Sequence, residues 1–454
     1  MGITKAIISF IFVLTLVAGL LLLVAVGGPP PSETESAVPP PRFQRSSEPR
    51  QAANTRAVEE VPPRELEPTL PATTLAPLTE EMTAPPPRQI PPVAAKYRDD
   101  PDAEERDLVK KLHGLLGLRS KGSGGGSRFR GALFVVKNGL VRRLRISPIE
   151  YRMSSQVTDA LVDAAGKLPE RKHPLFLFMG HEDHDVWYHI RTDPDCKLSK
   201  EIWKLTADHP NLFFLHWNPT LINEEKGLIG PRTVPIPHID AAAHPIGKKA
   251  EEKPYSQRKP GVSWRGTTTG FFDDYKQSDR FRVANAFYEA VNAGKMPAAE
   301  NNVKFHGRGQ GKTEADVPDA LMGATQTHEQ MAEYKVMLDV DGNANAWEGL
   351  RWKLSYGAPV VKAKSVYYIQ WYYPLLTHGK ELWVSPIDDI VDQARTVAAD
   401  EQLCDKLGTN ARAFAEKHLV PDAGQKYIRD AIANLDYYRD TTRDWRIRGT
   451  PPGK

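Results

Sequence analysis

Uninterrupted apolar runs of strand length recur in the C-terminal part of the chain. They predict strands at 131–139 (GALFVVKNG, which ends in a turn), 174–180 (PLFLFMG) and 211–217 (NLFFLHW). Apolar residues at successive rather than alternate positions are typical of parallel strands that are buried on both faces. Helical spacing of apolar and polar residues predicts helices at 155–168 and 199–208, between these strands.

The alternation of strands and helices continues toward the C-terminus. The further predicted strands are 261–266, 334–340 and 358–361, and the further predicted helices are 278–293, 347–356 and 388–419, the last with Gly408 as its weak point. This alternation implies an α/β fold with largely parallel sheets, and its length suggests two such domains. In open sheets of this kind, ligands bind at the carboxyl ends of the strands.

The N-terminal part has a different pattern. Residues 6–26 form a charge-free apolar run, which at about 1.5 Å per residue spans roughly the 30 Å of a bilayer core. We expect a membrane anchor there, with a cleaved signal peptide as the alternative. Lys5 precedes the run, so residues 1–5 are expected in the cytosol and the rest of the chain in the lumen.

A proline-rich segment separates this run from the predicted strands. Residues 27–101 carry 18 of the 38 prolines, which predicts a largely disordered stem. A short polar helix is predicted at 102–118, followed by the flexible sequence GSGGGS at 122–127.

The charges of the chain nearly balance. Its 60 basic and 57 acidic residues give a net charge of +3, without the basic footprint that nucleic-acid binding needs. Only Cys196 and Cys404 could pair, so the cysteines do not decide the compartment.

The first candidate motif is Trp264-Arg265-Gly266-Thr267-Thr-Thr-Gly, followed by Arg280. A guanidinium group offers paired donors to phosphate oxygens, and glycines allow close approach of the backbone. The motif therefore suits an anionic ligand, and a tight turn with a surface arginine is the alternative.

The second candidate motif begins at the strand that ends in Asp341-Gly342-Asn343. A helix is predicted to start soon after, at Trp347, and Lys362 follows the next strand. The N-terminus of a helix presents free amide donors and a partial positive charge to phosphate. A loop without a ligand is the alternative.

Together the two motifs resemble glycosyltransferase family 90, which includes the Rumi-type protein O-glucosyltransferases and the fungal capsule xylosyltransferases. The matching segments are WRG at 264–266, EYKVMLDVDGN at 333–343, GAPVVK at 357–362 and YYIQWYYPLL at 367–376, and they are followed by LWVSP at 382–386, which replaces the His-Tyr-x-Pro pattern of the family. The chain departs from the family where Gln370 replaces a glutamate that precedes tryptophan, and where Arg351 is shifted from the arginine after Trp347.

The resemblance implies a GT-B-like fold, in which two Rossmann-type domains enclose a cleft that binds a UDP-sugar. It further implies an inverting, metal-free transfer of a sugar, glucose or xylose, to a hydroxyl of a luminal glycan or protein. The expected domains are a Rossmann-like acceptor domain at 128–254 and a nucleotide-sugar-binding domain at 255–447, after the anchor at 6–26 and the stem and linker at 27–127. The implied location is the Golgi or the endoplasmic reticulum, as a single-pass type II membrane protein.

The resemblance also assigns roles to individual residues. The nucleotide-sugar-binding residues are expected to be Arg265, Gly266, Thr267, Arg280, Asp341, Gly342, Asn343, Trp347, Lys362 and Gln370. The family's general base is an aspartate after a strand of the first domain, which corresponds to Asp183 or, as second choice, Asp185. A solvated acidic loop is the alternative for this segment, and a metal cluster in the sequence HEDHD is a further one.

Two other functions remain open from the sequence. Asp339 and Asp341 form an Asp-x-Asp pair on one face of a strand, as in metal-dependent GT-A transferases. The departures at Gln370 and Arg351 leave room for a catalytically degenerate glycan-binding protein.

Overall fold

The computed structural model describes residues 103–116, 131–145, 155–171, 173–180, 187, 191, 194–195, 197–237, 253–270, 275–307, 317–345, 348–439 and 443–451. Every helix within these ranges is too short or too polar to cross a bilayer. The predicted anchor at 6–26, the proline-rich stem at 27–101 and the sequence GSGGGS lie outside the described residues.

The first lobe is built on a mixed five-stranded sheet with the order β2-β1-β3-β4-β7. In chain order the strands of this lobe are β1 (Gly131–Lys137), β2 (Leu140–Arg145), β3 (Leu175–Gly180), β4 (Leu212–His216), β5 (Leu221–Asn223), β6 (Leu228–Ile229) and β7 (Thr233–Pro235). Strands β3, β4 and β7 are parallel, whereas β1 is antiparallel to both β2 and β3. The predicted strands at 131–139, 174–180 and 211–217 are confirmed as β1, β3 and β4.

Strand β2 is absent from the prediction, although the sequence contained its signal. Asn138 and Gly139 have φ values of 50° and 74°, which are the left-handed values of a two-residue hairpin turn. The chain therefore reverses at Asn-Gly and returns as β2 along the edge of β1. The hairpin accounts for the antiparallel pairing of β2 with β1, and the sheet is mixed also because β1 is antiparallel to β3.

Three helices of the described ranges flank the first sheet: α1 (Ala103–Leu116), α2 (Ser155–Gly166) and α3 (Lys197–Asp208). Helix α1 lies within the range that the sequence predicts to be stem and linker. Its residues Leu108 and Leu112 are buried in a core with Leu198, Ile202 and Leu205 of α3. This burial makes α1 part of the first lobe.

The second lobe contains a fully parallel five-stranded sheet with the order β12-β11-β10-β8-β9. Its strands are β8 (Lys259–Thr267), β9 (Asn301–Gly307), β10 (Tyr334–Asp339), β11 (Val360–Ala363) and β12 (Trp383–Ser385). The chain moves outward from β8 to β9 and then returns to build β10, β11 and β12 on the other side. The strand order therefore reverses between β8 and β10, and this is the switch point at which open parallel sheets bind ligands.

The helices of the second lobe alternate with its strands. They are α4 (Asp279–Asn292), α5 (His328–Ala332), α6 (Gly349–Ser355), α7 (Ile390–Ala399), α8 (Glu401–His418) and α9 (Pro421–Ala433). The single helix predicted at 388–419 is wrong, because α7 and α8 are separated at Asp400, which is extended and whose side chain accepts a hydrogen bond from Leu403 N. Gly408 lies inside α8, where a Cβ would come within 2.3 Å of Gly357 O, so this glycine permits close packing rather than a break.

The end of the chain joins the two lobes. Helix α9 packs against α2 of the first lobe, and Ile428, Ala431 and Ile432 are buried in one core with residues from both sheets. The predicted α/β class with parallel strands is confirmed, and the two sheets lie within one compact unit.

Candidate functional site

The carboxyl ends of β8 and β10 meet at the switch point of the second sheet. Strand β8 ends at Thr267, and β10 ends at Asp339, two residues before Asp341. At the end of β8 the indole of Trp264 folds over Gly266, where a Cβ would lie 2.4 Å from the ring. The sequence therefore needs glycine at 266 for local packing, whether or not a ligand binds.

Arg280 ties these two strand ends together. It lies in the first turn of α4, whose start is capped by the Ser278 hydroxyl, which accepts a hydrogen bond from Phe281 N. Its Nη1 donates to Thr267 O at 3.1 Å and to Thr269 Oγ1 at 2.7 Å, and its Nε donates to the carbonyl of Asp341 at 3.3 Å.

The Nη2 amino group of Arg280 has no bond to another described residue and lies beside Gly342, where a Cβ would come within 2.7 Å of it. A guanidinium that is fixed by its other nitrogens and retains an uncommitted amino group is well suited to an anionic ligand.

Asn345 lies in the loop after β10, and the prediction from sequence did not include it. The residue is 1 % exposed, and neither its Oδ1 nor its Nδ2 has a hydrogen-bond partner among the residues that the structure describes. Buried polar groups are nearly always paired, so an orphan amide at a switch point calls for an explanation such as a ligand or a bound water. Asn345 and Asn343 differ in burial, since Asn345 is buried and Asn343 is half-buried. The sequence does not show this difference.

We call the group formed by Thr267, Thr269, Arg280, Gly342 and Asn345 the switch-point group. Two of the residues that the sequence predicts beside it, Asp341 and Asn343, lie in the same loop.

Arg265 is placed differently from Arg280. Its Nε donates to Ala324 O at 2.9 Å, its Nη1 donates to Trp264 O at 2.9 Å and Asn302 O at 2.6 Å, and its Nη2 donates to Asn302 Oδ1 at 2.7 Å. Nearly all of its donors are thus committed to the protein. The predicted phosphate contact of Arg265 stays a prediction, with Arg280 better placed for that role.

Four charged side chains beside the switch point neutralise one another. Lys353 Nζ lies 2.6 Å from Asp339 Oδ1, and Lys362 Nζ lies 2.9 Å from both Asp339 Oδ2 and Asp341 Oδ1. Of these side chains only that of Asp341 reaches 10 % exposure. We call this set the sealed charge cluster. Lys362 has internal partners in it, and the predicted contact of Lys362 with the nucleotide stays a prediction.

Burial and charge act in opposite directions within the sealed charge cluster. Burial opposes the ionised form of Asp339, but the two lysines hold its pKa well below the ordinary value. Burial likewise opposes the charge on Lys362, yet Asp339 and Asp341 raise its pKa well above the ordinary value. Burial raises the pKa of Asp341, and Lys362 counteracts part of that rise.

Two further titratable groups lie near Arg280. Asp279 begins α4, and burial followed by the negative charge of Asp341 raises the pKa of Asp279 to about 6. On β9, burial lowers the pKa of His306, and the guanidinium charges of Arg265 and Arg280 act in the same direction. The end of the sheet beside Arg280 therefore combines fixed cations with a carboxyl group that titrates in the mildly acidic range.

The Asp-x-Asp pair does not fit a metal ion. A divalent cation would need free carboxylate oxygens, but both oxygens of Asp339 accept from lysine and Lys362 also takes one oxygen of Asp341. Within the ranges that the structure describes, no three His, Cys, Asp or Glu side chains are arranged to hold a metal. The predicted alternative cluster HEDHD, at 181–185, lies outside those ranges.

Gln370 lies between the lobes. It is 3 % exposed, and its Nε2 donates to Asn218 Oδ1 at 2.7 Å, directly after β4 of the first lobe. Gln370, which departs from the family pattern, thus links the two lobes through a buried hydrogen bond. Its predicted contact with the nucleotide-sugar stays a prediction.

Three predicted site residues, Asp183, Asp185 and Trp347, lie outside the described residues. The two aspartates follow Gly180, the end of β3, in the sequence. Gly180 is in close contact with His216 at the end of β4, where a Cβ on the glycine would lie 2.9 Å from His216 Cδ2.

Comparison with known proteins gives distant structural similarity alone. A scan against protein-family models and a search of curated proteins found no match. The structure is similar to HepE of Anabaena in complex with UDP and glucose, at 13 % identity over 61 % of this chain and 76 % of that one, with a TM-score of 0.31. It is also similar to WaaG, a glycosyltransferase involved in lipopolysaccharide biosynthesis, at 15 % identity over 56 % of this chain and 75 % of that one, with a TM-score of 0.35.

A third similar structure is the pneumococcal O-GlcNAc transferase GtfA in complex with UDP and GlcNAc, at 11 % identity over 52 % of this chain, with a TM-score of 0.31. The match covers 55 % of the GtfA chain and 36 % of HepE in its complex with UDP-glucose. The chain therefore spans about a third to a half of these two matched structures. The values mark distant similarity, and none of them assigns a function to the chain.

Proposed function

We propose that this protein is a glycosyltransferase that binds a UDP-sugar at the carboxyl ends of the second sheet. In this proposal it transfers the sugar, glucose or xylose, with inversion and without a metal ion to a hydroxyl of a glycan or protein. Residues 6–26 would anchor it in the Golgi or endoplasmic reticulum membrane with the catalytic region in the lumen.

The observation that carries the proposal is the switch-point group. Arg280 is fixed by both strand ends through four acceptor atoms, while its Nη2 amino group has no bond to another described residue. Beside it lies Gly342, whose missing side chain makes room for Arg280 and Thr269, and the same loop holds the orphan amide of Asn345. A fixed cation suits a diphosphate, and an amide that can donate and accept suits hydroxyl groups. The match to the family 90 motifs falls on this same loop.

The chemistry would proceed as one displacement. A carboxylate of the first lobe, Asp183 by preference and Asp185 otherwise, removes the proton of the acceptor hydroxyl. The hydroxyl oxygen then forms a bond to the anomeric carbon as the bond between that carbon and the diphosphate oxygen breaks. The bonding electrons leave with UDP, and Arg280 stabilises the charge that develops there.

The test is a UDP-sugar panel with the full-length protein in detergent, with product detected by mass spectrometry. We expect transfer from UDP-glucose or UDP-xylose that persists in a chelator, and we expect Asp183→Asn to abolish transfer while UDP binding is retained. Activity that a chelator removes would favour a metal-dependent mechanism. Binding of UDP without turnover of any UDP-sugar would favour a glycan-binding protein, a function consistent with the internal partners of Arg265 and Lys362.

The expected topology is tested separately. Protease treatment of sealed microsomes is expected to leave the C-terminal region protected, because it would be luminal. Digestion of the intact vesicles that removes the C-terminal region would overturn this part of the proposal.

A further inference from the structure

A short antiparallel ladder joins the two lobes. Leu221 N of the first lobe donates to Tyr367 O of the second lobe at 2.8 Å, and Ile369 N donates to Pro219 O at 3.0 Å. Between these bonds Thr220 and Tyr368 form an antiparallel bridge. Backbone hydrogen bonds between lobes fix their register more firmly than a contact between flexible side chains.

Arg191 continues this ladder at the end where Leu221 and Tyr367 lie. Its Nη1 donates to the carbonyl of Leu221 at 2.7 Å and also to the carbonyl of Val366. One nitrogen thus holds a carbonyl from each lobe. The guanidinium also lies over the ring of Tyr367, with 4.4 Å between Cζ and the ring centroid, which adds a cation–π contact with the second lobe.

Glu224 extends the junction. Its Oε2 lies 3.6 Å from Arg191 Nη2, and its Oε1 lies 3.2 Å from Lys364 Nζ of the second lobe. Lys364 is 10 % exposed and follows Lys362 of the sealed charge cluster by two residues. The chain of charges therefore runs from the first lobe to the end of β11, beside the proposed donor site.

The position of Arg191 in the sequence gives the junction a functional meaning. The chain segment between Gly180 at the end of β3 and Arg191 contains both candidate bases, Asp183 and Asp185. The residue that follows this segment is thus bonded to the second lobe, which holds the proposed donor. In an inverting transfer the base and the donor must be held at a fixed separation, and a misplacement of about 1 Å can cost about a hundredfold in rate.

We propose that Arg191 is a positioning residue that sets the separation between the acceptor-side lobe and the donor-side lobe. This inference rests on the proposed function, since it assumes that the base and the donor lie on different lobes. A guanidinium is suited to the task because it serves two carbonyls, a carboxylate and an aromatic face at once. Lysine in its place can bond to the carbonyls but cannot serve all of these partners together.

The experiment compares Arg191→Met and Arg191→Lys with the wild type in the full-length protein. The control is Arg395→Met, which removes an exposed arginine that pairs with Asp392 within α7. We expect Arg191→Met to lower kcat by about 10- to 100-fold, with KM for the UDP-sugar and Kd for UDP within about threefold of the wild type. Arg191→Lys should recover part of kcat, and Arg395→Met should leave it unchanged.

Hydrogen exchange supplies a second measurement that does not depend on activity. Backbone amides of Thr220 and Leu221 and of residues 366–369 should exchange faster in Arg191→Met than in the wild type, and Arg395→Met should not change them. A kcat per folded molecule within about threefold of the wild type, or unchanged exchange, overturns the inference. Equal loss in UDP affinity and kcat also overturns it, because that result indicates a damaged donor site.

Failure of the proposed function gives a different result. If the wild type transfers no sugar, the proposed function fails, and the exchange measurement still decides whether Arg191 fixes the lobes. If Arg191→Met does not fold, Glu224→Gln weakens the same junction while leaving the arginine in place. Faster exchange at 366–369 in that variant supports the inference, and unchanged exchange overturns it.

Discussion

The sealed charge cluster and the switch-point group lie side by side, yet they treat polar groups in opposite ways. Every member of the cluster is paired: Asp339 with Lys353 and Lys362, and Asp341 with Lys362. The switch-point group leaves the amide of Asn345 without a partner in the part of the chain that the structure describes. The comparison teaches that charge density alone does not mark a binding site, because charges that satisfy one another stabilise the fold and have little capacity left for a ligand.

The largest effect is expected from breaking the cluster. Lys362→Met leaves Asp341 buried without its cation, and loss of one partner of a buried ion pair costs about 3–5 kcal/mol. We expect urea unfolding to show a loss of that size. Lys426→Met is the control, because Lys426 is 71 % exposed and its pair with Asp430 is worth less than about 1 kcal/mol. A loss below about 1 kcal/mol for Lys362→Met would show that the cluster is not sealed.

The second effect separates the two arginines. Arg280→Met removes the cation of the switch-point group, and because charge-assisted hydrogen bonds contribute about 1.5–3 kcal/mol, UDP affinity should fall by about 10- to 100-fold. Arg265→Met should change UDP affinity by less than about threefold and lower stability instead, since it leaves Ala324 O and Asn302 without their donor. Calorimetric titration with UDP measures both variants. An equal loss of UDP affinity in the two variants would show that Arg265 also contacts UDP.

The third effect depends on pH. Since burial and Asp341 raise the folded-state pKa of Asp279 to about 6, the folded state binds the proton more tightly than the unfolded state does. Ionisation of Asp279 therefore lowers stability as the pH rises through the interval from the ordinary value to about 6, and the loss is complete above it. Asp279→Asn should raise the free energy of unfolding by about 2 kcal/mol at pH 7.5 and by almost nothing at pH 4. A gain of the same size at both pH values would assign the effect to the side-chain shape.

The sequence predicts most of the second sheet because its strands are buried on both faces. The runs before Asp339 and around Val360 are continuously apolar, and burial of this kind shows in the sequence. Strand β9, Asn301–Gly307, alternates polar and apolar residues and was not predicted. In the first sheet, β2 was missed because its signal is the Asn-Gly turn rather than an apolar run.

The site is harder to predict than the fold, because residue type does not reveal which partners a side chain finds. Arg265 and Arg280 are equally plausible phosphate ligands by sequence. In the structure all three side-chain nitrogens of Arg265 donate to the protein, whereas Arg280 donates through Nε and Nη1 only. The partner of Gln370 is likewise hidden from the sequence, since Asn218 lies 152 residues away in the chain. Pairing over such distances follows from the tertiary fold.

The smallest expected effect compares two asparagine-to-leucine substitutions whose effects on stability should have opposite signs. An orphan buried amide costs about 1–3 kcal/mol, and replacing it with an apolar group of similar shape removes that cost. Asn345→Leu should therefore raise the free energy of unfolding by about 1 kcal/mol and lower affinity for the UDP-sugar more than for UDP. Asn410→Leu is the matched control, because Asn410 Nδ2 donates to Lys380 O at 3.1 Å, so its loss should lower stability. If Asn345→Leu is instead less stable than the wild type, an ordered water already satisfies the amide, and the two regions then differ in hydration rather than in readiness for a ligand.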